Sequence, residues 1–183
     1  MKVIVVNGVA RSGKDTFVDY CLSELFGYSA KFNTVDFIKD LAKQCGWNGE
    51  KNIKNRKFLS DLKDLLTEWD DVPMKKLASV ISRMKGWELS NKKPYYLFVF
   101  CREPKEIDRI VDKYGAITVC VRRTEAEKVS YGNHADDEAI YHEYNFYIDN
   151  NEDLEHLKLA AKTFCEYIKE EEQPTDPWGR ALS

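Results

Sequence analysis

The chain has 183 residues, 43% of them hydrophobic and 32% charged, a balance that suits one soluble α/β domain with a substantial core. Its net charge of −3, from 28 basic and 31 acidic side chains, argues against general nucleic-acid binding and against a membrane surface, where a basic excess is expected. Any anionic ligand must therefore be held by a local cluster of cations.

The first element is the β-branched run Val3-Ile4-Val5-Val6, read as a buried strand. It runs straight into GVARSGKDT, residues 8–16, which has the glycine spacing of a phosphate-binding loop: Gly8, four residues, Gly13, then Lys14. Glycines allow close approach of the backbone to phosphates and supply positive φ where the turn needs it. The loop amides and the following helix N-terminus then offer unpaired N–H groups and a partial positive charge, with Lys14 as a point charge for the terminal phosphates. Gly8, Ala10, Arg11, Ser12, Gly13, Lys14, Asp15 and Thr16 are the nucleotide-binding candidates here. The position after the lysine usually carries the Ser or Thr that holds Mg²⁺. Here it is Asp15, with Thr16 next, so both are metal candidates.

Thr16 to Phe26 reads as a helix, and Lys31–Val35 as a short second strand. Asp36 is placed as the N-cap of a helix through Leu41-Ala42. Residues 47–55 are polar and irregular. From Arg56, the positions Phe58, Leu59, Leu62, Leu65, Leu66 and Trp69 recur at helical spacing. Pro73 sits in the first turn of another helix, with Leu77, Val80, Ile81 and Met84 as its buried stripe. Tyr95–Phe100 is a continuous apolar strand, Pro104 opens a helix that ends at Gly115, and Ala116–Val121 is the next buried strand. Residues 122–144 are polar with little periodicity. Asn145–Asp149 is the last strand, Glu152–Ile168 a long amphipathic helix, and 171–183 a tail.

Alternation of strands and helices implies a parallel, doubly wound sheet with the ligand crevice at the carboxyl ends of its strands. The residues just past each strand are then the site candidates: the loop, Asp36–Lys39, Arg102, Arg122–Arg123 and Asp149–Asn150. Aromatic residues such as Trp47, Trp69, Tyr95 and Tyr96 are weighted towards the core rather than towards base stacking. The five cysteines are scattered with no CxxC pair, which fits buried small hydrophobes in a reducing, cytoplasmic compartment. The three histidines have no metal-ligand spacing. No apolar run reaches the length of a signal peptide or a membrane helix.

The loop string GVARSGKDT resembles that of phage-type deoxynucleoside monophosphate kinases, and also that of animal phosphomevalonate kinases. This resemblance implies a P-loop NTPase fold of the nucleoside monophosphate kinase kind over residues 1–170, with five parallel strands in the order 2-3-1-4-5. It also implies substrate-side helices over about 36–90 and a lid over about 122–144. The activity implied is Mg²⁺- and ATP-dependent phosphoryl transfer to a small phosphorylated acceptor, a (deoxy)nucleoside monophosphate. A phosphomevalonate-type kinase and a non-catalytic ATP/GTP-binding module are the alternatives.

CREPKEIDRI is similar to the family's Asp-x-Arg-(x)-Pro-x-Glu pattern at Arg102, Pro104 and Glu106, with Phe100 where the carboxylate belongs. By that resemblance Arg102 grips the acceptor phosphate; otherwise it is a helix-entry ion pair. Asp36 and Lys39 match an Asp-x-x-Lys helix opening, where Asp36 accepts a proton or holds Mg²⁺ through water, unless it simply caps the helix. Lys39 is either a phosphate contact or an exposed helix charge, and Arg56 is a further acceptor-side candidate. Arg122 and Arg123 correspond to lid arginines that stabilise the transferring phosphoryl, or are solvated strand-end charges. NHADDEA resembles a His-x-x-x-Glu element, which places His134, Asp136, Asp137 and Glu138 in the lid. Asn150 is placed to approach the adenine, although Asn-Asn is also ordinary turn chemistry. The expected partner is a small-molecule nucleotide, and a homodimer stays open.

Overall fold

The computed structural model describes residues 1–50, 52–128 and 142–170. Its elements, in chain order, are β1 (Lys2–Asn7), α1 (Lys14–Glu24), β2 (Ser29–Asn33), α2 (Asp36–Gln44), α3 (Ile53–Asp70), α4 (Val72–Asn91), β3 (Tyr96–Phe100), α5 (Pro104–Tyr114), β4 (Ile117–Arg122), α6 (Thr124–Glu127), β5 (Phe146–Asp149) and α7 (Leu154–Glu170). The five strands form one sheet in the order β2-β3-β1-β4-β5, as expected from the resemblance. Every pairing is parallel: Val3 lies beside Leu97, Val5 beside Thr118, Ala30 beside Leu97, and Val119 beside Phe146.

Strand pleating sorts the apolar runs onto two faces. Ile4, Val6, Phe98, Phe100, Val119 and Val121 point to one side, where α1 and α7 cover them with Phe17, Val18, Cys21, Leu157, Ala161, Phe164 and Ile168. The α7 contacts fall at helical spacing, and the Phe164 ring sits 5.7 Å from Phe17 and 5.4 Å from Phe146. Val3, Val5, Leu97, Val99, Cys101 and Cys120 point to the other side, under Met74, Leu77 and Ile81 of α4 and Ile107 and Ile110 of α5. Burial on both faces is why these strands read as unbroken apolar runs.

The structure shifts several boundaries. The second strand begins at Ser29, earlier than Lys31, because its pairing with β3 continues beyond the apolar residues. Helix α3 begins at Ile53, before Arg56, because the Asn52 side chain accepts from the Asn55 amide and caps it. Asp36 is not an N-cap. It is the first residue of α2, and the turn before it is closed by Asn33, whose Oδ1 accepts from the Val35 amide at 3.1 Å. The Asp36 carboxylate instead pairs with Lys39 Nζ at 2.7 Å. Pro73 does open α4, with Leu77 and Ile81 buried and Val80 and Met84 packed at the edge of the core. Cys21, Cys101, Cys120 and Cys165 are buried free thiols, but Cys45 is exposed at the end of α2. Tyr96 is buried, as weighted, whereas Trp69 is 72% exposed. Among the described residues, no helix is long and apolar enough to cross a membrane.

Candidate functional site

The loop between β1 and α1 is built from both of its ends. Asn7 closes β1 and is buried. Its Oδ1 accepts from the Gly8 amide at 2.7 Å, while its Nδ2 donates to the Tyr144 hydroxyl at 2.7 Å and to the Arg102 carbonyl at 3.3 Å. At the far end the buried Asn150 donates from Nδ2 to the Ser12 carbonyl at 2.8 Å, and from its amide to the Arg122 carbonyl at 2.8 Å. Two carboxamides therefore hold the loop between the ends of β3, β4 and β5.

The chain between these clamps is forced into left-handed backbone at Gly8, Arg11 and Gly13, with φ of 146°, 66° and 94°. Close packing adds to the demand for glycine at two positions. A Cβ on Gly8 would overlap the Val121 carbonyl oxygen and crowd Ser12 Oγ, and one on Gly13 would overlap the Asn150 carboxamide. The glycines are thus required by the protein's own walls as well as by any phosphate. Gly8→Ala meets a backbone atom that cannot rotate away, so it is expected to destabilise the fold by about 3 kcal/mol. In a thermal melt it should lower Tm by about 6–12 °C. An unchanged melt would show that the loop does not have this geometry.

The loop's polar interior has the chemistry of an anion cradle. Gly13 precedes α1 and no side chain caps the helix, so the amides of its first turn lack intrahelical acceptors and carry the positive end of the helix dipole. Lys14 is buried, with Nζ turned back on the Val9 carbonyl at 3.3 Å; the Ser12 amide donates to that same oxygen at 3.2 Å. Ser12 Oγ is buried with no hydrogen-bond partner among the described residues. An enclosed ammonium, uncapped amides and an orphaned hydroxyl fit a bound polyphosphate. Asp15, exposed, and Thr16, half-buried, occupy the same first turn.

The remaining candidates lie along the carboxyl edge of the sheet. Asp36 and Lys39 form an ion pair at the start of α2, and Arg56 is half-buried near the start of α3. Arg102 is half-buried just past β3. Arg122 lies 3.6 Å from Glu127 and over the Tyr147 ring at 5.4 Å. Arg123 is exposed and, with Asn150, Glu152, Asp153, Leu154 and Glu155, lines an open cleft of about 470 Å³ beside the loop. Ala10 and Arg11 form the outer rim of the loop. His134, Asp136, Asp137 and Glu138 lie outside the described residues.

Three groups carry more of this arrangement than the sequence disclosed. Asn7 ties the loop to β3 and to Tyr144, whose hydroxyl burial pushes above the ordinary tyrosine range, so it stays neutral. Lys63, on the inner side of α3, puts Nζ 2.9 Å from Glu106 Oε2 and 3.7 Å from Glu103 Oε1. Cys101 Sγ donates to the same Glu106 oxygen at 3.5 Å. The one available signal for Lys63 was its place in the row Leu59, Lys63, Leu66, a lysine at an inward helical position. Cys101 and Cys120 sit close to the site as buried free thiols, an environment that disfavours the thiolate. Burial, followed by Glu106, holds the Cys101 thiol well above its usual range, and burial pushes Cys120 up to about 11.

Strand order and loop together define a P-loop domain: a doubly wound parallel sheet whose first strand delivers a phosphate-binding turn to a helix N-terminus. No protein-family model matches the chain, and no curated protein matches it in sequence. Solved structures similar to it include a gluconokinase from Sinorhizobium meliloti 1021, at 14% identity and a TM-score of 0.48, covering 93% of this chain and 94% of that one. A shikimate kinase from Bacteroides thetaiotaomicron follows at 13% and 0.47, covering 92% and 98%. A sugar kinase from Janibacter sp. HTCC2649 shows 12% and 0.44, covering 91% and 95%. At such identities and TM-scores these likenesses say nothing of substrate, and the function below rests on the chain's own residues.

Proposed function

We propose that this chain is a P-loop phosphotransferase, moving the γ-phosphoryl of ATP onto a (deoxy)nucleoside monophosphate. The observation that carries this is the clamped loop, with Lys14 enclosed in it and the uncapped start of α1 beside it. Lys14 and the amides of the first turn hold the triphosphate. Thr16 and Asp15 are the residues that would hold Mg²⁺, which when bound neutralises charge on the phosphate oxygens. The base of the nucleotide would approach Asn150, past the end of β5.

On the opposite side of the loop, Arg102 presents a planar fork suited to the acceptor phosphate, supported by Lys39 and Arg56. Asp36, paired with Lys39 at the start of α2, would accept a proton from the acceptor phosphate or hold Mg²⁺ through water. Arg122 and Arg123, at the end of β4, would stabilise the charge that accumulates on the transferring group. Such a reaction asks for positioning and charge rather than for a protein nucleophile, in keeping with the protonated thiols nearby.

ADP release measured with a panel of nucleoside monophosphates, and with phosphomevalonate, tests this directly. Turnover with one nucleotide is expected, and Arg102→Met should lower kcat/KM for that acceptor by about 100-fold while leaving ATP affinity within about twofold. Turnover with phosphomevalonate alone would reassign the acceptor. One observation favours a second reading, a nucleotide-binding module without turnover. Phe100 fills the place of the resembled family's carboxylate and is packed into the core under α1. ATP binding with no acceptor-dependent ADP release would establish that second reading.

A further inference from the structure

The carboxamide of Asn7 joins three parts of the site that lie far apart in sequence. Its Oδ1 accepts from the amide of Gly8, the first residue of the phosphate loop, at 2.7 Å. Its Nδ2 donates to the Tyr144 hydroxyl at 2.7 Å and to the Arg102 carbonyl at 3.3 Å. An amide only donates and a carbonyl only accepts, so these partners fix which way the carboxamide faces. Asn7 is 1% exposed, and bulk water cannot replace a bond that it gives up.

Each partner belongs to a different group of the reaction. Gly8 opens the turn that holds the triphosphate. Arg102 carries the guanidinium for the acceptor phosphate. The end of its strand is also tied to the acceptor-side helix α2, because the Thr34 amide and Oγ1 both donate to the Phe100 carbonyl, at 3.3 Å each. Tyr144 leads towards Arg122: its amide donates to the Tyr147 hydroxyl at 3.1 Å, and Arg122 lies over the Tyr147 ring. The Tyr144 ring is held by those of His142, at 4.9 Å, and Tyr147, at 5.8 Å, and His142 pairs with Asp108 of α5 at 2.8 Å. A shift of the Gly8 amide is therefore not absorbed by Asn7 alone. Either the carboxamide follows it and takes the Arg102 carbonyl along, or a buried hydrogen bond is lost.

We infer that Asn7, oriented by Tyr144, is a positioning residue that makes the binding of ATP and of the acceptor cooperative. A triphosphate in the loop orders the Gly8 amide, and the carboxamide passes that order to the backbone of Arg102. The guanidinium then meets the acceptor phosphate with less freedom left to lose. By linkage the acceptor raises the affinity for ATP by the same factor. The inference rests on Arg102 as the acceptor cation, the reading given above.

Calorimetric titration of the full chain tests this, with a non-hydrolysable ATP analogue and Mg²⁺, and with each deoxynucleoside 5′-monophosphate, alone and in the presence of the other. In the wild-type chain the analogue is expected to tighten the monophosphate that binds by about 10-fold. Tyr144→Phe keeps the ring and removes the hydroxyl. It should leave the thermal melt and the affinity for each ligand alone within about twofold, while the coupling falls to about threefold or less. Asn7→Ala should abolish the coupling and also weaken the analogue, since the Gly8 amide loses its acceptor. Should Asn7→Ala fail to fold, Tyr144→Phe alone decides. Independent binding of the two ligands to the wild-type chain overturns the coupling and leaves the kinase reading standing. A chain that binds the analogue but no monophosphate removes the acceptor assignment, and the coupling with it. Undiminished coupling in Tyr144→Phe overturns the junction, and weaker binding of each ligand alone with the coupling intact would make these residues structural only.

Discussion

Lys14→Ala is expected to weaken ATP binding by about 10- to 150-fold while the protein stays folded. A charge-assisted contact to phosphate is worth about 1.5–3 kcal/mol, and an ammonium enclosed by its own loop has little competition from water. The fold tolerates its loss because the Val9 carbonyl it touches also accepts from the Ser12 amide, so that acceptor keeps a partner. The loop is further held by Asn7 and Asn150, neither of which depends on Lys14. Calorimetric titration with ATP, paired with a thermal melt, separates the two effects. Retained affinity in the variant would remove the loop from the nucleotide site, and a collapsed melt would make Lys14 a structural residue.

The largest effect on stability is expected at the ion pair joining α3 to α5. Lys63 and Glu106 are nearly enclosed and lie 2.9 Å apart, with Cys101 donating to the same carboxylate. Removing one partner strands a buried charge, which costs about 3–5 kcal/mol. Lys63→Met alone, or Glu106→Leu alone, should therefore lower Tm by roughly 6–20 °C. The double change Lys63→Met/Glu106→Leu should recover most of that loss, because two apolar groups of similar volume leave no stranded charge. The pair also anchors the segment that carries Arg102, so the double variant is expected to keep its fold but bind the acceptor less tightly. Equal melts for the single and double variants would show that the two residues act independently.

Much of the fold was legible because its signals are local. Strands β1, β3, β4 and β5 are β-branched or aromatic runs, whereas β2, with the sequence SAKFN, is not, and the helix stripe at Leu77–Met84 follows the 3.6-residue period. Strand order is another matter. It came from the resemblance of the loop, since periodicity carries no information about which strands are neighbours. The phosphate loop was equally legible, as glycine spacing fixes its backbone within a few residues. Its clamps were not, because Asn7 and Asn150 act on groups 137 and 138 residues away in sequence. Asn150 was picked out as a strand-end residue, yet its carboxamide nitrogen is bonded to the Ser12 carbonyl. For α3 the period was right but not the direction of its apolar residues: period reports that a helix has faces, not which one meets the core. Trp69 therefore lies on the surface, while a lysine, Lys63, is buried.

The most direct measurement is a crystal structure of the chain grown with a non-hydrolysable ATP analogue and Mg²⁺. It is expected to show the β-phosphate within about 2.7–3.2 Å of amides in the turn between Gly8 and Thr16, with Lys14 Nζ moved from the Val9 carbonyl onto a phosphate oxygen. A nucleotide seated elsewhere, or a loop whose amides point away from the phosphates, would contradict it.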